Sequence, residues 1–246
     1  MKISEILRRM LLPRVCLLCD ETIDRDKEIP FCEDCEKEWN NFIEIRCNRC
    51  GRDRYSCSCL PALIKKNFDL ASWAVFYDTE SKEIANSLVF ALKYQRYRDA
   101  IRFCTEIMRD MLLENCRKRG INYKEFAVTY TPRGSIKRRL YTYDQAREMA
   151  KYLAELLDID FVEAFKNIGN KEQKRLSAIE RRKNAQRSYV LKKNFENKHK
   201  KYFLVDDIMT TGSTLLYCSR LLISAGATEV IPVTYAKDNY KTKGDY

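Results

Sequence analysis

The chain is poor in histidine and lacks two kinds of sequence that would assign it to common classes of protein. His199 is its only histidine, which leaves Ser/His or Cys/His catalysis without a general base. The nucleotide-binding pattern GxxxxGK[ST] is absent. No apolar run approaches the roughly 18 residues that a membrane-spanning helix needs. These absences predict a soluble protein that is neither a P-loop nucleotide-binding protein nor an enzyme with a catalytic triad.

Size and charge restrict the chain further. Its 246 residues are 45% hydrophobic, which is enough for one sizeable core and a small second module. The formal net charge is +11, from 46 Lys and Arg against 35 Asp and Glu, and this excess favours polyanionic ligands. Apolar residues at helical spacing in residues 3–11, interrupted by charges, predict a short amphipathic helix and not a signal peptide. We therefore expect a cytoplasmic protein.

Eight of the eleven cysteines lie between Cys16 and Cys59 in close pairs. The pairs are Cys16/Cys19, Cys32/Cys35, Cys47/Cys50 and Cys57/Cys59. Because one such pair supplies two thiolates from a tight turn, four pairs predict two structural zinc sites of four cysteines each. Sequential pairing is the simplest arrangement, and pairing of alternate knuckles remains open, as do redox-active or disulfide-bonded cysteines. Cys104, Cys116 and Cys218 are interpreted as ordinary buried residues.

Beyond Pro61 the sequence alternates between strand and helix patterns. Strands are predicted at 68–77, 124–130, 158–165, 202–207 and 228–236, and helices at 80–93, 98–119, 143–157 and 213–224. Gly120 and Gly226 follow two of the helices, as expected at helix ends. Alternation of this kind predicts an α/β domain with a mainly parallel sheet. The organisation is thus a cysteine-rich module at 1–61 followed by the α/β domain at 62–246.

The segment FLVDDIMTTGSTL, residues 203–215, carries the chemistry. An apolar strand ends in Asp206 and Asp207, at the edge where parallel sheets place their ligands. The next residues supply hydroxyls, a flexible glycine and a helix N-terminus, a combination that binds phosphate: Thr210, Thr211, Gly212, Ser213 and Thr214. The two acids would repel phosphate, so they suit a hydroxylated group or a cation beside it. A ribose 5-phosphate fits both halves, whereas a plain aspartate cap before a helix needs fewer of these residues.

FLVDDIMTTGSTL resembles the phosphoribosyl-pyrophosphate signature of type I phosphoribosyltransferases over all its positions. From Cys16 to Tyr235 the chain also resembles the ComF family, of the ComFC/GntX-like kind. This likeness rests on the eight-cysteine module, on YDTESKEIANSLVFALKYQRYRD, on VTYTPRG and on the signature. The resemblance implies a type I phosphoribosyltransferase-like parallel-sheet core preceded by a double zinc ribbon. It also implies a link to DNA uptake in natural transformation.

The resemblance implies roles for particular residues. Asp206 and Asp207 would hold the ribose diol of 5-phosphoribosyl 1-pyrophosphate (PRPP) as the catalytic pair, and Thr210 to Thr214 would hold its 5-phosphate. The loop facing the pyrophosphate would be Thr131, Pro132, Arg133 and Gly134. Mg²⁺ would accompany the pyrophosphate. The acceptor of the sugar phosphate stays unidentified.

Two segments qualify that assignment. The chain reads LYTYDQA where relatives carry an Arg-Gly pair after the pyrophosphate loop, and Lys137, Arg138 and Arg139 could replace the lost charge. Within the basic stretch 166–201, the segment NKEQKRLSAIERRKNAQRSY, residues 170–189, is either a solvated loop or a mobile cover for the phosphates. Basic residues mixed with Tyr94, Tyr97 and Tyr141 could also contact single-stranded DNA. The alternative function is therefore a non-catalytic adaptor or ligand sensor that binds single-stranded DNA or uptake-machinery partners, such as a helicase-type competence protein.

Overall fold

The structure is a computed structural model, and it describes residues 14–24, 26–77, 87–88, 97–133, 144–169 and 188–239. Several predicted features fall outside these ranges. They are the amphipathic helix at 3–11, most of the helix at 80–93, Gly134, the basic residues at 137–139, Tyr94, Tyr141 and the centre of the basic stretch.

A four-stranded parallel sheet is the centre of the described fold. Its strands stand in the order β1–β6–β5–β2, and all three pairings are parallel. The bounds are β1 Ser72–Tyr77, β2 Phe126–Tyr130, β5 Lys201–Met209 and β6 Glu229–Asp238. Two short strands, β3 Phe165–Asn167 and β4 Tyr189–Leu191, pair antiparallel in a separate sheet. The carboxyl ends of the four parallel strands therefore meet at one edge.

Helices cover both faces of this sheet. The described helices are α1 Glu33–Ile43, α2 Ala62–Asn67, α3 Tyr97–Arg119, α4 Gln145–Leu157 and α5 Ser213–Ser224. Alternate residues of β5 serve two cores: Phe203 and Val205 pack with α3 and α4, whereas Tyr202 and Leu204 pack with α2 and α5. A strand buried on both faces reads as a continuous apolar run, which explains the sequence before Asp206. None of the helices in these ranges is long and apolar enough to cross a membrane.

The cysteine module packs onto the α/β domain. Phe31 and Trp39 contact Phe103 of α3, with ring centroids 4.9 Å and 5.1 Å apart. Farther along the module, the Arg54 guanidinium donates to the carbonyl oxygen of Ala74 in β1 at 3.1 Å. Aromatic pairs of this kind add about 0.5–1.5 kcal/mol each to the burial of their area. The module is thus attached to α3 and to the edge strand of the sheet.

Most predicted elements of the α/β domain are confirmed, with small shifts of their ends. The strand at 202–207 extends to Lys201–Met209, and the helices at 98–119 and 213–224 are present within one residue of their predicted bounds. The strand predicted at 158–165 is wrong. There, Phe161 forms only an isolated bridge with Val128, and the strand begins at Phe165. Helix α1, inside the cysteine module, was not predicted. The domain boundary at Pro61 stays a prediction.

Candidate functional site

The strand β5 ends in two aspartates whose carboxylates organise the chain that follows. Asp206 Oδ1 accepts from the backbone N–H of Asp207 at 2.9 Å, and Asp207 Oδ1 accepts from that of Ile208 at 2.8 Å. Side chains alternate along the strand, so Asp206 continues the α5 side and Asp207 the α3–α4 side. Both residues are mostly buried and lie at the carboxyl edge of the sheet. The two acids therefore lie at the edge where the sequence predicts them.

The hydroxyl-rich loop leads directly from β5 into α5. The hydroxyls of Thr211 and Ser213 lie 2.9 Å apart, and Gly212 is the residue that caps the helix, with φ of +75°. Glycine offers no side chain to accept from the first N–H groups of α5. The backbone N–H of Ser213 makes only a long hydrogen bond to Thr211 Oγ1, at 3.4 Å. Because the first N–H groups of a helix and its dipole both attract anions, the loop and the first turn suit one phosphate group.

Gly212 is held against an isoleucine from the segment that joins the two units. A Cβ placed on Gly212 would lie 2.4 Å from both Cγ1 and Cδ1 of Ile64. Ile64 belongs to α2 and is fully buried. Glycine is therefore required here twice, by its positive φ and by this close approach. Sequence reasoning did not identify Ile64, because a single apolar residue in a short helix carries no functional signal.

The environment of the two aspartates makes full ionisation of both unfavourable. Burial, together with the charge of Asp207, raises the pKa of Asp206 well above its usual range. A hydrogen bond with Thr131 and the backbone N–H of Asp207 oppose that rise without cancelling it. Two carboxylates that share a site cannot both ionise readily. Asp206 in its neutral form can donate a hydrogen bond as well as accept one.

The predicted pyrophosphate loop lies beside these aspartates. The backbone N–H of Thr131 donates to the carbonyl oxygen of Val205 in β5 at 3.0 Å. The Arg133 guanidinium lies 3.8 Å from Asp207 Oδ2. The structure thus brings Thr131, Pro132 and Arg133 together with Asp206 and Asp207, whereas Gly134 lies outside the described residues.

Two buried polar side chains that the sequence did not single out hold this loop. Asp144, which precedes α4, accepts from the backbone N–H of Arg133 at 2.8 Å. Asn167, the last residue of β3, donates from Nδ2 to the carbonyl oxygen of Pro132 at 3.0 Å. Both side chains are buried. The acid before α4 was recognisable as a helix start, but no local pattern indicates that it binds a loop eleven residues earlier.

The cysteines form two groups of four within the described residues. In each group the sulfur atoms all lie within 4.8 Å of one another. One group holds Cys16, Cys19, Cys32 and Cys35, and the other holds Cys47, Cys50, Cys57 and Cys59. Cys19 Sγ lies 3.5 Å from Cys32 Sγ, and Cys50 Sγ lies 3.8 Å from Cys57 Sγ. We call these groups cluster one and cluster two. The cysteines are thus grouped sequentially and not by alternate knuckles.

Both clusters fit zinc. In a tetrahedral site with Zn–S bonds of about 2.3 Å, neighbouring sulfurs lie about 3.8 Å apart, close to the distances found here. Burial raises the pKa of Cys57 to about 12 despite the nearby charge of Lys237. A thiol with such a pKa becomes a thiolate at neutral pH only beside a strong cation. The four sulfurs of a cluster leave no position for water, so a metal held there is structural.

We expect the purified protein to contain close to two zinc ions per chain, one for each cluster. Cys19→Ser and Cys50→Ser remove the exposed member of cluster one and of cluster two respectively, and each should lower the zinc content to about one. Elemental analysis measures the content directly. A wild-type sample that folds normally without zinc would contradict the assignment.

The chain is similar to known proteins both in a family model and among solved structures. Residues 144–246 match the family model of the phosphoribosyl transferase domain. This range holds Asp206, Asp207 and the hydroxyl-rich loop, and the match supports a phosphoribosyltransferase domain in this part of the chain. The loop at 131–133 and the cysteine module lie outside it.

Among solved structures the chain is similar to two hypoxanthine phosphoribosyltransferases. For the Staphylococcus aureus protein the identity is 16%, the TM-score 0.35, and the match covers 58% of this chain and 68% of that one. For the Trypanosoma cruzi protein the identity is 11%, the TM-score 0.35, and the coverages are 59% and 69%. A comparison with curated proteins finds no match.

Proposed function

We propose that the protein binds PRPP together with Mg²⁺ and is a phosphoribosyltransferase whose acceptor is unidentified. The observation that carries this proposal is the joining of two unlike sites at the end of β5. Asp206 and Asp207 suit a sugar diol, and the loop of Thr210–Thr214 that opens α5 suits a phosphate. A ligand with a diol next to a phosphate uses both, and the match to the phosphoribosyl transferase domain spans them.

Each part of the site has a role in this proposal. Backbone N–H groups and hydroxyls of the loop, from Thr210, Thr211, Gly212, Ser213 and Thr214, bind the 5-phosphate. Asp206 and Asp207 accept hydrogen bonds from the ribose 2- and 3-hydroxyls. Thr131, Pro132, Arg133 and Gly134 face the pyrophosphate, and Arg133 supplies positive charge there. Its guanidinium lies next to the proposed diol site, 3.8 Å from Asp207.

The chemistry of such a transfer is mainly electrostatic. The bond between the anomeric carbon and the pyrophosphate breaks, and the pyrophosphate leaves with the electron pair. Positive charge develops on the sugar ring until the acceptor supplies an electron pair for the new bond at that carbon. Asp206 and Asp207 lie on the diol side, and a bound Mg²⁺ would favour their ionised forms, whose negative charge stabilises that ring. Carboxylate and phosphate oxygens are the ligands that Mg²⁺ prefers, and the ion would neutralise the leaving pyrophosphate. No protein nucleophile is required, consistent with the carboxylates, hydroxyls and guanidinium that the described part of the site supplies.

Calorimetric titration of the full chain with PRPP tests the binding step. We expect saturable binding of one PRPP per chain that weakens when Mg²⁺ is chelated. Ribose 5-phosphate should bind more weakly, because it lacks the pyrophosphate that Arg133 and Mg²⁺ would hold. A chain that is folded, contains zinc and gives no heat of binding with PRPP would contradict the proposal.

We also propose a cytoplasmic role in DNA uptake, which rests on the resemblance to the ComF family and is supported by the charge of the chain. The net charge of +11 favours a polyanionic partner. In this role the protein would contact single-stranded DNA or the uptake machinery, including a helicase-type partner, either as an enzyme or as a non-catalytic adaptor.

We expect single-stranded DNA to bind with an affinity that falls steeply as salt rises, because cationic side chains would displace counterions from its phosphates. Fluorescence anisotropy of a labelled oligonucleotide at about 50 to 200 mM salt, the range over which this effect is large, measures the slope. Affinity that does not change with salt, or no binding at the lowest salt, would contradict direct DNA contact. Neither result bears on PRPP binding, which the titration tests separately.

A further inference from the structure

A fully buried lysine reaches from the sheet into cluster two. Lys237 lies near the end of β6 and has no exposed surface. Its ammonium donates to the carbonyl oxygen of Cys59 at 2.7 Å and lies 3.7 Å from the sulfur of Cys57. The same nitrogen lies 4.6 Å from the ring centre of Trp73 and 5.0 Å from that of Phe76. The ammonium is therefore enclosed by two aromatic rings, one carbonyl and one cysteine ligand.

A buried ammonium of this kind requires negative charge nearby. An uncompensated charge in a protein interior is strongly unfavourable, and contact with aromatic faces recovers only a small part of that cost. Among the described residues, the partners of the Lys237 ammonium include no carboxylate. Zn²⁺ with four thiolates carries a net charge of about −2. Cluster two in its zinc-bound form thus supplies the charge that Lys237 needs, and Lys237 offsets half of that excess.

We propose that Lys237 is a positioning residue of the second zinc site, which it completes by offsetting part of the thiolate charge and holding the backbone of Cys59. The metal at cluster two is then retained by the α/β domain as well as by its own four cysteines. Neighbouring residues fit this arrangement. Asn239, two residues farther on, makes two hydrogen bonds with Asn48. The backbone N–H of Asn48 donates to Asn239 Oδ1 at 2.9 Å, and the side-chain amide of Asn48 donates to the backbone carbonyl oxygen of Asn239 at 2.9 Å.

The position of Lys237 also connects the metal site to the phosphate loop. Lys237 is paired in register with Met209 of β5, the residue directly before Thr210. On its other side it pairs with Phe76 of β1. A single residue of β6 therefore lies between the edge strand, cluster two and the start of the hydroxyl-rich loop.

Cluster one has a different environment, which makes the proposal specific to one site. Lys27, which interacts electrostatically with Cys32 of that cluster, forms an ion pair with Glu36 at 2.7 Å and is only partly buried. Lys27 thus already has a carboxylate partner, and it needs no zinc–thiolate charge. Removal of the Lys237 charge should weaken zinc at cluster two and leave cluster one unchanged.

Competition for zinc by a chromogenic chelator tests the proposal on the full chain with Lys237→Met. Methionine keeps the length and suits the apolar contact with Trp73 and Phe76, and buried charges can often be replaced by apolar groups without loss of folding. We expect one of the two zinc ions to be released at a chelator concentration about 10–100-fold lower than in wild type, the usual effect of removing an outer-shell partner. The other zinc ion should be released as in wild type.

Three further variants make the result decisive. Lys118→Met is the matched control, because Lys118 also donates to a backbone carbonyl of the module, that of Tyr55 at 3.2 Å, and should leave both zinc ions unaffected. Lys237→Gln keeps a donor without the charge and should behave like Lys237→Met. Cys50→Ser combined with Lys237→Met should abolish the easily released zinc and retain the tight one.

The proposal is overturned if Lys237→Met and Lys237→Gln release both zinc ions at the wild-type chelator concentration. It is also overturned if both ions become equally easy to remove, since that would indicate a general loss of stability. Circular dichroism before the titration shows whether each variant is folded. If Lys237→Met does not fold, the glutamine variant decides the question by the same criterion. None of these readouts depends on PRPP.

Discussion

Replacing Asp206 and Asp207 together by asparagine is expected to weaken PRPP binding by about 100-fold to 10⁴-fold. A Mg²⁺ ion bound with PRPP would favour the ionised form of both acids, so each carboxylate in the proposed site then accepts a charge-assisted hydrogen bond from a ribose hydroxyl, worth about 1.5–3 kcal/mol. Loss of two such bonds corresponds to about 3–6 kcal/mol, and each 1.4 kcal/mol is about tenfold in affinity. Calorimetric titration of the double variant against wild type measures the change. A double variant that binds PRPP as well as wild type would contradict the proposed function.

The Asp206→Asn variant separates the loss of ligand from a loss of fold. Asparagine resembles the neutral form of the aspartate, and the fold already favours that form because the pKa of Asp206 is raised, first by burial and then by Asp207. Below pH about 3.8, the ordinary value for an aspartate, both the folded and the unfolded chain carry the proton. Above it the unfolded chain ionises first, so the stability contributed by this group is lost as pH rises through the folded pKa.

Asp206→Asn should therefore be at least as stable as wild type at pH 7, and its stability should fall less between pH 5 and pH 8. Urea unfolding at the two pH values measures this difference. A variant that is less stable than wild type at pH 7 would show that the ionised carboxylate stabilises the fold, contrary to the pKa direction. If the Asp206→Asn protein is stable but binds PRPP more weakly, the lost affinity comes from a lost contact with the ligand and not from a damaged fold.

The parts of the fold that the sequence predicted well are those that local patterns determine. One contiguous segment forms the strand β5, the loop and the helix α5. Its apolar run, two acids and hydroxyls therefore predict these elements and their order directly. Helix α1 was missed although its buried residues, Cys35, Trp39 and Phe42, have helical spacing. The reason is that Cys35 has two roles. Its spacing from Cys32 indicates a metal ligand, and it is also a buried position on the apolar face of the helix.

The residues that the sequence could not reveal act over long separations. Asn167 and Asp144 hold the loop at 131–133 from elements that follow it in the chain, and Lys237 reaches cysteines that lie about 180 positions earlier. A lone lysine in an apolar strand or a lone asparagine at a strand end has no periodicity and no motif. Only the packing of the module against the sheet gives these residues their partners, and that packing depends on the whole fold.

Gly212→Ala is expected to reduce both stability and PRPP affinity, because the added Cβ is unfavourable in two ways, through the positive φ and through its contact with Ile64. A residue with a Cβ at φ of +75° is strained by about 1–2 kcal/mol. The added Cβ would also lie 2.4 Å from Ile64, and overpacking of a buried site costs about 1–3 kcal/mol. Ile64 cannot move aside easily, because it is β-branched and fully buried. We expect a loss of about 2–5 kcal/mol in urea unfolding.

Gly120→Ala is the matched control for the strain alone. Gly120 has φ of +64°, and nothing lies within 4 Å of a Cβ at that position. This variant should lose only about 1–2 kcal/mol and should bind PRPP like wild type, since Gly120 follows α3 and is not part of the proposed site. The difference between the two alanine variants then measures the collision with Ile64.

The double variant Gly212→Ala/Ile64→Ala completes the test of how the loop is held. Ile64→Ala alone leaves a cavity and should cost about 2–5 kcal/mol, but it also removes the atoms that the new Cβ would strike. The double variant should therefore be more stable than the sum of the two single changes predicts, and the excess is the coupling between loop and helix α2. Strict additivity, or a Gly212→Ala protein no less stable than Gly120→Ala, would show that Ile64 does not brace the loop. The double variant could also show a favourable coupling in stability while its PRPP affinity stays reduced. In that case the collision is relieved but the cost of the positive φ remains, and the backbone of Gly212 itself shapes the proposed phosphate site.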